Sequence, residues 1–437
     1  MKIKKILAAT LTATLFSSAM IGCGGSTSVS TTDSSKNDGA GKTINVFQMK
    51  VEINDALQQL AKKYEEETGV KVNVTSVGGG ADYGASLKAE FQKETEPDIF
   101  VVQGAGDYTT YKDKIDDLSS EPWVKNAVKG TLDSLTVDGK IYAMPAATEG
   151  YGIMYNKEIL DKAGIDPKSI DTFDKLKAAF ETLDSKKAEL GLDNVISYTT
   201  KETWVTGMHS FNIPLAAQKD ARQFTKDYIA GKVNVTTNEQ FKNWMNLIEL
   251  FVKYGGGKAL DTIDYSTQVG NFALGKTAFM QQGNWTASDL GNLGADFDKG
   301  FIPMCINNDP AVSGSIPVGV PMYWAINKGS SVNKEARDFL NWMVTSQTGQ
   351  EALVKDMNMI PAFTNFTVES DNPLNKSINE YNKAGKTIPW CFSDLPDGFA
   401  LDSIAPIFST YAGSDLGDGA KQAMLKSIQE APAKFKK

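Results

Sequence analysis

The stretch INVFQMKVEINDALQQLAKKYEEETGVKV, residues 44–72, decides the fold. Residues 44–47 form a short apolar run that reads as a buried strand. Ile53, Leu57, Leu60 and Tyr64 then recur at helical spacing, with Glu65, Glu66 and Glu67 on the outside. Gly69 suits the left-handed residue that ends a helix, and Val70, Val72 and Val74 alternate as a second strand. Strand, helix and strand in this order predict a parallel pair joined by a right-handed crossover.

The same alternation continues downstream. Ala85, Leu87 and Phe91 mark a helix that leads through Pro97 to a strand at 98–102 and the turn Gly104-Ala105-Gly106. In open α/β sheets, ligands sit beyond the carboxyl ends of the strands. Segments 48–52 and 103–108 are therefore the first places to look for a site. Farther on, 141–145 and 151–155 read as strands, and Thr172 suits the N-cap of a helix. Phe241, Trp244, Ile248, Phe251 and Val252 predict a strongly amphipathic helix. Residues 266–274 read as a helix, 277–280 and 318–326 as strands, and 334–344 as a helix. There is no internal repeat.

Upstream, Gly24 and the Ser, Thr, Gly and Asp residues that follow it bury too little to fold and predict a tether. A coil of about 19 residues has an r.m.s. span of about 25 Å. Before it stand Lys2, Lys4 and Lys5, an apolar run over 6–20, and Ala19-Met20-Ile21-Gly22-Cys23. This is a secretory signal too short for a membrane span. With cysteine directly after the cut it resembles a bacterial lipoprotein signal, with Met20 where leucine is usual. That resemblance implies lipidation of Cys23 and residence on the outer face of the cytoplasmic membrane.

The chain has 437 residues and a formal net charge of −8, and it loses three lysines with the signal. The acidic balance argues against nucleic acid and against adhesion to anionic lipid. The length that remains is too great for one compact core and predicts two lobes. Only Arg222 and Arg337 supply guanidinium groups, which disfavours an anionic ligand. His209 is the sole histidine, so a His-rich metal site is excluded. No nucleophile motif surrounds it, and no cofactor is expected. Cys305 and Cys391 can pair or remain free thiols. The run Gly78-Gly79-Gly80 lacks the Lys-Ser/Thr of a phosphate loop and reads as a turn lining a cleft.

Several blocks in one order carry a wider resemblance: residues 44–72, PDIFVV at 97–102, GKIYAMPAATEGYGIMYNKEIL at 139–160, GKTAFMQQGNW at 275–285 and VGVPMYWAINKGSSVNKEARDFLNWMV at 318–344. Together the chain resembles the extracellular solute-binding proteins of carbohydrate ABC importers, the family that includes maltose-binding protein. The resemblance implies an α/β, periplasmic-binding-protein-like fold with two lobes joined by hinge strands and a ligand cleft between them. Residues 1–22 are then the signal and 23–43 the lipidated cysteine with its tether. One lobe takes 44–148 plus 318–365, the other 149–317 plus 366–437. The implied protein is a monomer that catalyses nothing, holds a neutral oligosaccharide and passes it to an ABC permease.

A neutral sugar offers hydroxyl edges and apolar faces, so its site needs carboxylates, amides and aromatic rings. Trp285, Trp390, Trp204 and Trp324 are the candidate stacking residues, whereas Trp244, Trp342 and Trp123 read as packing residues. The resemblance places a ligand carboxylate at Glu149 and a stacking ring at Trp285. Asp107, Lys50 and Glu52 follow strands and join the candidate set, as do Asp394 and, more weakly, Asp397 and His209. Charges near helix starts, and aspartates in turns, also have purely structural roles. Three alternatives remain: an exported glycosidase with carboxyl groups about 5 or 6.5–9.5 Å apart, a surface glycan sensor, and a binding protein for a cation such as a polyamine.

Overall fold

The computed structural model describes residues 41–78 and 81–435. Cys23, the tether through residue 40 and Gly79-Gly80 lie outside the described residues. Gly41 and Lys42, assigned to the tether by composition, already belong to the fold. The Gly41 N–H donates to the Gly69 carbonyl at 3.1 Å, and Lys42 Nζ pairs with Glu335 at 2.6 Å.

The opening unit is β1 (Thr43–Gln48), α1 (Asn54–Thr68) and β2 (Lys71–Ser76). Leu57, Leu60, Ala61 and Tyr64 form the buried face of α1, and each large side chain contributes about 1.5–3 kcal/mol. Gly69 ends the helix at φ 76° and donates to the Glu65 carbonyl at 2.7 Å. Next come α2 (Tyr83–Glu90), β3 (Ile99–Val102) and α3 (Ala105–Tyr111). The glycine turn expected at 104–106 is thus the entry and first turn of a helix. A hairpin of β4 (Thr136–Val137) and β5 (Lys140–Ile141) precedes β6 (Met144–Pro145). The chain then forms β7 (Glu149–Asn156), β8 (Ile196–Ser197), β9 (Phe279–Gly283), β10 (Lys299–Ile302), β11 (Ile316–Gly319), β12 (Tyr323–Ile326) and β13 (Thr387–Ile388).

Two sheets organise these strands. The first has the order β2-β1-β3-β12-β6, with β1, β2 and β3 parallel and β12 antiparallel to β3. The second has the order β13-β11-β7-β9-β8, with β10 also paired to β7. Residues 318–326 therefore do not make one strand. Pro321 has no N–H to continue a ladder, and the chain leaves the second sheet after Gly319 and enters the first at Tyr323. A second passage links β6 to β7 through Ala146-Ala147-Thr148. The mixed sheet follows from this route, since β12 arrives through a short link rather than a helical crossover.

Each sheet has its own apolar core. Ile44, Val46, Met144, Trp324 and Phe339 belong to one, and Tyr151, Phe180, Trp244, Phe251 and Trp390 to another. The helix Glu239–Gly255 buries Trp244, Ile248, Phe251 and Val252, with the Asn238 side chain accepting from the Phe241 N–H at its start. Trp123 is buried as a packing residue, and half-buried Trp342 donates to Glu67 at 2.9 Å. Cys305 and Cys391 are buried free thiols. No helix among the described residues is long and apolar enough to cross a membrane.

Candidate functional site

The carboxyl end of β1 fixes Lys50. The buried Gln48 amide accepts from the Lys50 N–H at 2.5 Å and donates to the Lys50 carbonyl at 2.9 Å. Gly78 lets the neighbouring strand end close on this loop, for a Cβ there would meet the Met49 carbonyl oxygen at 2.1 Å. So clamped, Lys50 Nζ lies 2.6 Å from Glu52 Oε1 and 2.8 Å from Glu149 Oε1. Glu149 opens β7 opposite Gly319 of β11, at the passage between the sheets. Burial disfavours the Lys50 ammonium, but Glu149 and Glu52 outweigh it and raise the Lys50 pKa. Burial also pushes Glu149 up, against the pull of Lys50. Lys50 stays charged, and each carboxyl group commits one oxygen to it.

Beside this group stands a cluster of rings. His209 stacks on Tyr151, with ring centroids 4.4 Å apart and an interplanar angle of 22°. Trp285 lies 4.9 Å from His209, Trp204 5.3 Å, Phe392 5.8 Å and Trp390 6.0 Å. The segment Val205–Ser210 that carries His209 is π-helical, a geometry frequent at functional sites. It packs backbone to backbone on Phe399–Ile404, since a Cβ on Gly207 would meet the Ala400 carbonyl oxygen at 2.0 Å. The Tyr151 hydroxyl donates to the His209 carbonyl at 2.9 Å and locks the stack. Burial, aided by the charge of Lys50, holds the His209 pKa down at about 3, so the imidazole is neutral.

The tryptophans are oriented individually. Trp285 Nε1 donates to Gln282 at 2.9 Å, and Gln282 donates in turn to Gln268 at 2.8 Å. Trp204 Nε1 donates to Glu202 at 3.0 Å, and the other Glu202 oxygen accepts from the Tyr265 N–H at 2.8 Å. Trp390 Nε1 is buried with no partner, as is His209 Nδ1. Glycines floor two of the rings: a Cβ on Gly283 would lie 2.1 Å from Trp285 Cζ3, and one on Gly319 2.5 Å from Trp390 Cγ.

Asp107 occupies the first turn of α3 and accepts from the Gln103 N–H at 2.7 Å. Its pKa is pushed up to about 6 by burial and then by Asp397, against the Gln103 N–H and Lys88. Lys88 Nζ lies 3.9 Å from Asp397 at the surface. Here residues 104–106 and 393–397 meet backbone to backbone. A Cβ on Gly104 would fall 2.6 Å from the Ser393 carbonyl oxygen, and one on Gly106 2.9 Å from the Asp397 nitrogen.

The fold therefore brings together Lys50, Glu52, Glu149, Trp204, Trp285 and Trp390. Two expected residues are otherwise engaged. Trp324 is 2 % exposed in the core of the first sheet, where the alternation of β12 turns its ring inward. Asp394 is held by Arg222 through 2.6 and 2.7 Å contacts. Tyr151, Tyr265 and Phe392 were not singled out from the sequence, although a tyrosine beginning an apolar strand beside Glu149 was a usable signal. Among the described residues, no group of three His, Cys, Asp or Glu side chains is placed to hold a metal.

Comparison with known proteins gives this geometry a context. The model of a bacterial extracellular solute-binding protein family matches residues 59–380. The chain belongs to this family. As a solute-binding protein it is 26 % identical over 323 residues to the melibiose/raffinose/stachyose-binding protein MelE of Bacillus subtilis, covering 71 % of this chain and 72 % of that one. It is 23 % identical over 380 residues to a maltooligosaccharide ABC transporter solute-binding lipoprotein of Streptococcus pneumoniae, covering 83 % and 82 %. Among solved structures, the binding protein RafE in complex with raffinose superposes with a TM-score of 0.75 at 18 % identity, covering 90 % of this chain and all of that one. The two-lobed fold of these solute-binding proteins is the fold of this chain.

Proposed function

We propose that this solute-binding protein captures a neutral oligosaccharide between its lobes and delivers it to an ABC permease without chemical change. One observation carries the reading. Trp204, Trp285 and Trp390 ring a neutral His209 on the second core, and the Lys50 that bonds Glu52 and Glu149 is near enough for its charge to act on that histidine. Rings suit apolar sugar faces, and paired charges suit hydroxyl edges. Relatives named for raffinose, stachyose and maltooligosaccharides support it, and they are binding proteins rather than enzymes. Glu149 is engaged by Lys50 instead of standing free as a general acid. Ligand held by one lobe and touched by the other only on closure shifts the hinge equilibrium toward the closed form.

The lobes are taken as 44–148 plus 318–365 and 149–317 plus 366–437. Lipidated Cys23 and its tether would keep this body near the membrane and raise its local concentration at the permease. The test is tryptophan fluorescence of the mature protein against raffinose, stachyose, maltotriose and a wider glycan panel. A saturable change with at least one of them is expected. No change in emission or melting temperature with any glycan overturns the reading.

A further inference from the structure

We propose that His209 is a ligand-contact residue, whose ring nitrogen hydrogen bonds a hydroxyl of the bound sugar together with the Trp390 indole. This rests on the oligosaccharide reading above and names a polar group within its aromatic surface.

His209 stands where a core would ordinarily place phenylalanine. Its ring is stacked on Tyr151, flanked by Trp285 and Trp204, and 5 % exposed. A benzyl side chain would fill the same slot without any polar atom to satisfy. Instead the slot encloses Nδ1, which has no hydrogen-bond partner. A buried polar atom left unpaired is costly, and native structures pair nearly all of them. Trp390 repeats the anomaly from another segment: its Nε1 is also buried and unpartnered, and its ring centroid lies 6.0 Å from that of His209. By contrast Trp285 and Trp204, in the same cluster, have protein partners for their indole N–H groups.

The two orphans are chemically complementary. An indole N–H only donates, whereas a neutral imidazole has one nitrogen that accepts and one that donates. A sugar hydroxyl can accept from Trp390 and donate to His209 at once. The imidazole keeps its acceptor at every physiological pH, since burial and Lys50 oppose its protonation. The Tyr151 hydroxyl holds the His209 carbonyl at 2.9 Å and so anchors the backbone that carries the ring. The class recognised is thus a neutral sugar hydroxyl adjoining a stacked ring face, not a cation.

The experiment uses the mature protein without an affinity tag and titrates raffinose, stachyose and maltotriose by calorimetry. Wild type, His209→Phe, His209→Asn and Trp285→Ala are compared. His209→Phe is expected to keep its melting temperature and to lose at least tenfold in affinity. His209→Asn, which keeps a polar atom near Nδ1, loses less. The sole histidine also gives one imidazole in spectra of 15N-histidine-labelled protein, and its ring nitrogen shifts move on saturation with the glycan that binds. If His209→Phe binds within twofold of wild type and the ring shifts stay still, while Trp285→Ala loses binding, the His209 assignment falls and the sugar reading stands. Failure of every glycan to bind wild type overturns both. Should His209→Phe prove unstable, the wild-type ring shifts decide alone: movement supports the contact, and none refutes it.

Discussion

Gly319 lies directly beneath Trp390, so close that a Cβ at residue 319 would stand 2.5 Å from Cγ of the indole. The ring rests on backbone, and its height above the sheet is set by the absence of a side chain. Gly319→Ala is therefore expected to lift Trp390 out of the cluster. Overpacking of this kind costs about 1–3 kcal/mol. Chemical denaturation should show that loss, with weakened glycan binding; unchanged stability and affinity would mean the ring is free to move.

Trp285 packs against His209 and Trp204 yet remains partly exposed. Truncating a central aromatic of a binding surface costs about 2–4 kcal/mol of affinity. Trp285→Ala is expected to lose that much by calorimetry while keeping a cooperative melt. Wild-type affinity in the variant would remove Trp285 from the site.

Lys50 is the only cation bonded to Glu52 and Glu149 among the described residues. Lys50→Met leaves the buried Glu149 and the half-buried Glu52 without it, and breaking a buried ion pair by removing one partner costs about 3–5 kcal/mol. Burial without the ammonium raises Glu149 further, so its folded pKa lies above the unfolded one. Stability of the variant is then present at low pH and lost as pH rises through the folded pKa. Melting temperatures at pH 5 and pH 7.5 check this: the variant should melt higher at pH 5, relative to wild type, than at pH 7.5.

Closure should respond to acid through Asp107. In the structure its pKa is about 6, raised by burial and by Asp397 where 104–106 meet 393–397. Opening would hydrate Asp107 and separate the two carboxylates, returning it toward the ordinary value. Protonation therefore favours the closed form, and the preference is lost as pH rises through about 6. Small-angle scattering should give a smaller radius of gyration at pH 5 than at pH 7.5, and Asp107→Asn should abolish the difference.

Gly106 gives a steric counterpart. A Cβ there would stand 2.9 Å from the Asp397 nitrogen and 3.0 Å from the Leu395 carbonyl oxygen. Gly106→Val is expected to wedge the lobes apart, enlarging the radius of gyration with saturating glycan while the melting temperature of the empty protein holds. A variant that compacts on ligand as wild type does would show that this contact yields.

Much of the fold was legible because it is local. The spacing of Ile53, Leu57, Leu60 and Tyr64, with Gly69 after them, dictates α1 and its strand neighbours without distant information. The break inside 318–326 was harder, since Pro321 marks an interruption but not a change of sheet. The site was legible residue by residue rather than as a constellation. Trp204, Trp285 and Trp390 each stood out by type, yet what joins them is long-range contact around His209. A lone histidine on a helical stretch gives no such signal. Asp394 shows the converse: only folding reveals that Arg222, far off in sequence, already occupies it.

The meeting of residues 104–106 with 393–397 has a further consequence. Side chains adapt to a neighbour by changing rotamer, but the backbone of the first turn of α3 and the carbonyls and amide it meets at 393–397 do not. The approach of 104–106 to 393–397 thus has one width, and the contact works as a caliper. A sugar too thick keeps the jaws apart, and one too thin leaves the rings and the Lys50 group without a common partner. Size would then be gauged by backbone at 104–106 and 393–397 rather than by the rings.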